Sequence, residues 1–138
     1  MDEMRVDLVA DADADAGTQS STLLQLRWRP VDPLAVSLTV LRLPEHPALV
    51  QGEWVMLRDF LRYGLEAATG DGDVRLRPGT KANVVIELSS ERGHCSLSVP
   101  ASVVREFLVE TERVVPCGAE RSAEAIDHLI DQLLGRER

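Results

Sequence analysis

The sequence predicts an α+β fold: a pseudo-duplicated pair of strand–strand–strand–helix units whose antiparallel sheets pack with helices, followed by a separate C-terminal helix. Three observations carry this expectation. Several stretches alternate apolar and polar residues with the period of a half-buried strand. Each unit closes on apolar residues at helical spacing. The third is an offset: Leu26-Arg27-Trp28-Arg29-Pro30 lies 48 positions before Val74-Arg75-Leu76-Arg77-Pro78, and Val36, Leu38 and Val40 lie the same distance before Val84, Ile86 and Leu88. Arg58-Asp59-Phe60-Leu61 lies 47 positions before Arg105-Glu106-Phe107-Leu108. Such self-similarity is the signature of a repeated unit, and two units of this kind build sheets and helices about one core.

The elements follow in order from Ser21. Leu24, Leu26 and Trp28 alternate with Gln25, Arg27 and Arg29 as a strand stopped at Pro30. Asp32-Pro33 signals a turn. Val36, Leu38 and Val40 form a second strand, ended by the Pro44-Glu45-His46-Pro47 turn, and a third runs from Ala48 to Val55. Leu57, Phe60, Leu61, Leu65 and Ala68 then mark an amphipathic helix near residues 57–68, and Gly70-Asp71-Gly72 ends the unit in a loop.

The second unit opens with Val74 and Leu76, continues through Val84, Ile86 and Leu88, and turns at Ser90-Glu91-Arg92-Gly93, which suits a hairpin. His94 to Val99 supplies its third strand, and Val103, Val104, Phe107 and Leu108 its helix, with Pro100 near the start, where a missing N–H costs little. Val114-Val115-Pro116-Cys117-Gly118 must break that helix. Beyond it, Ile126, Leu129, Ile130, Leu133 and Leu134 form one stripe of a last helix, stopped at Gly135. That stripe either seals the core or packs on another subunit.

The acidity is uneven. The chain carries −8 in all, but residues 1–17 hold six acids against Arg5 alone, a net −5. The other 121 residues hold 17 acids and 14 bases, a net −3. The Ala-Asp alternation of residues 10–16 offers little apolar surface to bury, so residues 1–20 are expected to be an acidic, disordered tail and 21–138 a single domain. The same stretch imitates the Asp-x-Asp-x-Asp opening of a calcium loop. However, Ala16 stands where the sharp turn needs glycine, and Thr22 where a bidentate Glu belongs.

These properties exclude several classes. A mildly acidic body gives no long-range attraction for a phosphate backbone. No apolar run approaches the ~20 residues of a membrane span, and the acidic start is unlike a signal peptide, so a cytoplasmic location is expected. Cys95 and Cys117 stand apart without metal-ligand spacing and read as free thiols. His46, His94 and His128 share no motif with another potential ligand, and no GxSxG, HExxH or P-loop occurs. Gly70-Asp71-Gly72-Asp73 reads as a tight turn, since the Lys-Ser/Thr sequel of a phosphate loop is missing. No catalytic residue, metal ligand or cofactor is assigned, and a non-enzymatic protein is expected.

Two surfaces remain. Arg27, Arg29, Arg75 and Arg77, on alternating strand positions, form either a basic stripe for phosphates or one wet face of an antiparallel sheet. Arg58, Asp59 and Arg62, on the polar side of the first helix, form either a solvated face with a local ion pair or a protein-docking patch. Trp54 beside them is a core anchor or part of that patch.

The residues then resemble a known family. Asp32-x-x-Ala35-Val36, Trp54-x-x-x-Arg58-Asp59-x-Leu61, Gly64, Gly70-x-Gly72-Asp73-Val74 and Phe107-Leu108-x-x-Thr111-x-x-Val114-Val115-Pro116-x-Gly118-x-Glu120 stand in the order and spacing of the SsgA-like proteins, actinomycete regulators of sporulation-specific cell division, in their SsgB-like branch. The resemblance covers roughly residues 20–135; the acidic extension, Phe60 and Cys117 depart from it. It implies a homotrimer with a Whirly-like subunit, the fold of certain single-stranded nucleic-acid binders. It also implies a function without catalysis: positioning FtsZ at septum sites by contacts with divisome or SsgA-like partners, with any membrane association indirect. Arg58, Asp59, Arg62 and Glu120 are the expected contact residues. Trp54, Gly70, Gly72, Asp73, Phe107, Pro116 and Gly118 are the expected structural motif. The competing expectation is a single-stranded nucleic-acid-binding protein of the same fold.

Overall fold

The structure, a computed structural model, describes residues 2–14, 19–41, 52–91, 93–119 and 130–133. Its alternating stretches become strands β1 (Met4–Ala14), β2 (Gln19–Arg29), β3 (Asp32–Leu41) and β4 (Gly52–Leu57), followed by helix α1 (Arg58–Gly64). Strands β5 (Thr69–Asp71), β6 (Val74–Pro78), β7 (Asn83–Ser90) and β8 (Gly93–Pro100) follow, then helix α2 (Ala101–Val114). The described strands form one sheet in the order β4-β3-β2-β1-β8-β7-β6-β5, every neighbouring pair antiparallel. Each half is therefore a four-stranded meander ending in a helix, and the halves join where β1 meets β8.

Period-two alternation puts one face of every strand into a common core. Leu26, Leu38 and Trp54 stand in register across β2, β3 and β4. Leu76, Ile86 and Leu97 do the same across β6, β7 and β8. All six are buried, each such side chain contributing ~1.5–3 kcal/mol relative to exposure. The sheet curls: Trp54 Nε1 on β4 donates to the Ser89 carbonyl on β7 at 3.0 Å, although four strands lie between them in sheet order.

Three expectations are corrected. The acidic tail is instead strand β1, inserted between β2 and β8, so the folded sheet starts well before residue 21. Its Asp residues occupy one parity, with Asp7 and Asp11 exposed, while Ala10 and Ala12 on the other parity are buried in the core. Low hydrophobicity there reflects small buried residues, not a lack of burial. The loop at Gly70–Gly72 contains a short strand, β5, turning at Gly72-Asp73 into β6. Gly72 has φ +62°, the left-handed conformation that glycine adopts without steric cost. Gly70 has φ +122°, and a Cβ there would lie 2.4 Å from the Val74 carbonyl oxygen. Lastly, Asp32-Pro33 belongs to β3, the turn falling at Pro30-Val31.

Helix α1 is shorter than the spacing of apolar residues suggested, because Thr69 already has to pair with Leu76. It packs on β6 so closely that a Cβ on Gly64 would lie 2.6 Å from Leu76 Cβ. Helix α2 buries Ala101, Val104, Phe107, Leu108 and Thr111 along one stripe. Its N-cap, Pro100, supplies no side-chain hydrogen bond. The Ala82 carbonyl of the β6–β7 turn instead accepts the Ala101 N–H at 2.9 Å, in a turn where Lys81 and Ala82 hold φ of 54° and 61°. The Pro44–Pro47 turn and most of the last helix lie outside the described residues; residues 130–133 are helical, with Ile130 and Leu133 exposed.

Two outcomes follow for stability, both read by denaturant unfolding. Gly64→Ala loses ~1–3 kcal/mol, because the added methyl overpacks the α1–β6 contact. Ala82→Gly gains ~0.5–1 kcal/mol by relieving the left-handed alanine. An unchanged midpoint for Gly64→Ala would show that α1 has room to move.

Candidate functional site

Among the expected contact residues, three sit on α1 and face α2. Arg58, the first residue of α1, shares a helix face with Leu61 and Gly64 at intervals of three, and all three are buried. Its side chain is only 1% exposed. Nη1 donates to Thr111 Oγ1 at 3.3 Å, and the guanidinium lies 5.4 Å from the centroid of the Trp28 ring. Thr111 Oγ1 in turn donates to the Leu108 carbonyl at 2.8 Å, and Trp28 Nε1 to the Pro33 carbonyl at 3.0 Å. Arg58 therefore links the β2–β3 hairpin to α2. This corrects the docking-patch reading for Arg58: a solvated helix face does not include it, because its aliphatic stem and planar head fill the space between Trp28 and α2.

Asp59 and Arg62 lie one level further out, half-buried. Arg62 donates to Asp59 on its own helix and, at 2.6 Å, to Glu112 Oε2 on α2. Partial burial alone would lower the Arg62 pKa, but the hydrogen bond and charge of Glu112, with Asp59, outweigh it and raise the value. A cation whose folded-state pKa is raised stabilises at every pH below its ordinary value, so this contribution is constant through the physiological range. Tyr63, 54% exposed, stands next to the network. The α1–α2 surface thus presents a connected pair of ion pairs with an aromatic at its side.

The remaining expected residues are structural or lie elsewhere. Trp54 and Phe107 are buried in the core. Asp73 is exposed, and its carbonyl accepts the Ser89 N–H at 2.9 Å. After α2, the Pro116 carbonyl accepts the Ala119 N–H at 3.0 Å, and Gly118 holds φ +94°, a turn that ends the helix. Glu120 lies outside the described residues, as do His46 and His128. Among the described residues no cluster of His, Cys, Asp or Glu could hold a metal ion, and no helix is long and apolar enough to cross a membrane.

The strand arginines do not form one stripe. Arg27 and Arg29 are on β2, Arg75 and Arg77 on β6, with β1, β8 and β7 between them. Arg27 on β2 pairs with Glu53 on β4, reaching across the intervening β3, and Arg77 on β6 pairs with Glu87 on the neighbouring β7 at 3.6 Å, all on the outer face. Arg27 and Arg77 thus carry acidic partners on a solvated sheet face.

Sequence reasoning missed the partners Trp28, Thr111 and Glu112. The spacing Arg58–Leu61–Gly64 was the available signal, since a residue sharing a face with buried neighbours is itself directed inward. Replacing Arg58 with alanine is expected to cost ~2–5 kcal/mol in denaturant unfolding, through the cavity and the lost contacts. Arg58→Met, which keeps the volume, should cost less than half as much. Equal losses for both would assign the stability to the charge itself.

The comparisons with known proteins agree with this architecture. The family model described as Streptomyces sporulation and cell division protein, SsgA, matches residues 23–120. A sporulation-specific cell division protein of Frankia casuarinae is 36% identical over 117 residues, covering 83% of this chain and 77% of the relative. The sporulation-specific cell division protein SsgB of Streptomyces coelicolor is 37% identical over 112 residues, 79% of each chain. A solved structure reported with SsgB mutations that correlate to longitudinal cell division during sporulation of Streptomyces coelicolor superposes with TM-score 0.73 at 32% identity, covering 85% of this chain and 91% of that one. An SsgA-like sporulation-specific cell division protein from Thermobifida fusca shares the fold, with TM-score 0.74 at 23% identity over 99% and 96% of the two chains. With its model matched from the first unit through the end of α2, this chain belongs to the SsgA family of sporulation and cell division proteins.

Proposed function

We propose that the protein acts in sporulation-specific cell division, as a non-catalytic adaptor that positions FtsZ at septum sites. The observation that carries this is family membership, supported by relatives such as SsgB of Streptomyces coelicolor that are named as sporulation-specific cell division proteins. The ion-pair surface of α1 and α2, with Asp59, Arg62 and Glu112, suits recognition by shape and charge better than bond chemistry. In this reading the protein is cytoplasmic, concentrates at the septum, meets other divisome or SsgA-like proteins, and assembles as a homotrimer.

The same reading includes a Whirly-like subunit built from two copies of one unit. Its support is that the 48-residue offset carries β2 onto β6 and β3 onto β7. The 47-residue offset carries Leu61 and Gly64 of α1 onto Leu108 and Thr111 of α2, all four buried. Nucleic-acid binding is the weaker reading, because the strand arginines are split between β2 and β6 with three strands between them, and the chain carries −8.

Co-sedimentation with FtsZ polymers tests the adaptor role, with co-pelleting expected and its absence, together with unchanged polymer length, counting against it. A gel shift at physiological salt should show no single-stranded DNA binding; a shift weakening steeply with salt would favour the other reading. Light scattering should return three times the 15.2 kDa chain mass.

A further inference from the structure

Strand β1 is paired with β2 from Met4 to Asp13, but with β8 only from Asp11 to Ala14. The reason is the chain path: β8 ends at Pro100, where continued pairing would reach Val9, and the backbone leaves the sheet as α2. Among the described residues, the backbone of Met4–Leu8 therefore faces no strand on that side. Such an edge offers a row of N–H and C=O groups to an extended segment.

The ground beside this edge is apolar. Ala10 and Ala12 are 0% and 2% exposed, whereas Met4, Val6 and Leu8 on the same face are only partly buried. These side chains and Val103 and Phe107 of α2 line a cleft of about 330 Å³. The cleft is lined as well by three carboxylates, Asp7, Glu106 and Glu110, and by one cation, Arg5. Arg5 pairs with Asp7 at 3.6 Å, and Arg113 with Glu110 at 3.1 Å, both in exposed positions where such pairs are worth little and exchange readily.

We propose that this cleft docks an extended partner segment of alternating apolar and basic residues, which adds to β1 as a strand in line with β8 and antiparallel to β1. Its inward side chains cover Met4, Val6 and Leu8. Its outward ones stand beside Asp7, where a lysine or arginine completes a cross-strand pair. A second copy of this chain fits less well, since it carries −8 and would bring its own acidic β1 to an acidic cleft. The inference concerns where a basic strand docks and is independent of the FtsZ reading.

The test uses the full chain with an acetylated hexapeptide alternating valine and lysine, and a control in which glutamate replaces lysine. Amide hydrogen exchange should slow within Met4–Leu8 with the lysine peptide and not with the control. Glu106→Lys/Glu110→Lys, in the cleft lining, should weaken binding about tenfold or more. Val103→Trp, which fills the cleft without changing charge, should give a comparable loss. Equal binding of both peptides, protection elsewhere, or unaltered binding to both variants would overturn the proposal. So would concentration-dependent protection of Met4–Leu8 without peptide, which would assign the cleft to a second copy.

Discussion

Burial of the Arg58 guanidinium between Trp28 and Thr111 is the constraint on which the rest of the fold depends. A cation removed from water costs several kcal/mol unless its surroundings replace the lost hydration. Here the Trp28 face and the Thr111 hydroxyl contribute to that replacement, and this requires β2, α1 and α2 to be in register at once. Trp28 is fixed by the Pro33 carbonyl and Thr111 by its own bond to Leu108. Each group that holds Arg58 is thus held by a second group. A hydrophobic side chain of the same size would fill the space but would not discriminate between one angle of α1 and another; a planar, directional cation does.

The outer ion pairs repeat this logic at lower cost. Arg62 joins Asp59 and Glu112 where water still reaches them, so they add orientation with little penalty. On the outer sheet face, Arg27–Glu53 and Arg77–Glu87 pair across strands rather than along them. The effect is a surface on which part of the charge is matched by opposite charge nearby. That suits a protein that must be recognised by a shaped surface more than one that attracts polyanions from a distance.

Much of this was legible in the sequence, and the exceptions have definite causes. Strands β2, β3, β6, β7 and β8 and helix α2 each bury large side chains at the expected period, so alternation located them. Strand β1 escaped because part of its inward face is alanine between aspartates. Alanine packs as well as leucine where the space is narrow, yet contributes little to any hydrophobic pattern. The three residues of β5 are too few to show a period. Arg58 was read as solvated because charge usually means exposure, and the neighbours at Leu61 and Gly64 outweigh that rule. Its partner Thr111, and Glu112 for Arg62, lie about 50 residues away, a distance that only the folded topology can close.

The sheet's edges show where the fold is finished and where it is left open. In strand order the edges are β4 and β5, the usual places for unwanted pairing. Both are short, and the curl that joins Trp54 to Ser89 turns them toward each other. Residues 130–133 lie against that seam: Gln132 donates to the buried Asp32, and Leu133 borders the cleft between Trp54 and Val74. Formal edges are thus short, bent and partly covered. The segment Met4–Leu8 is nominally central, yet α2 departs just where β8 should have covered it. Extending β8 by a few residues would have closed it, and would have displaced Ala101 and Val104 from the core that anchors α2. The opening beside β1 is therefore the geometric consequence of seating α2 against Arg58. The two features share one origin in the early turn from strand to helix at Pro100.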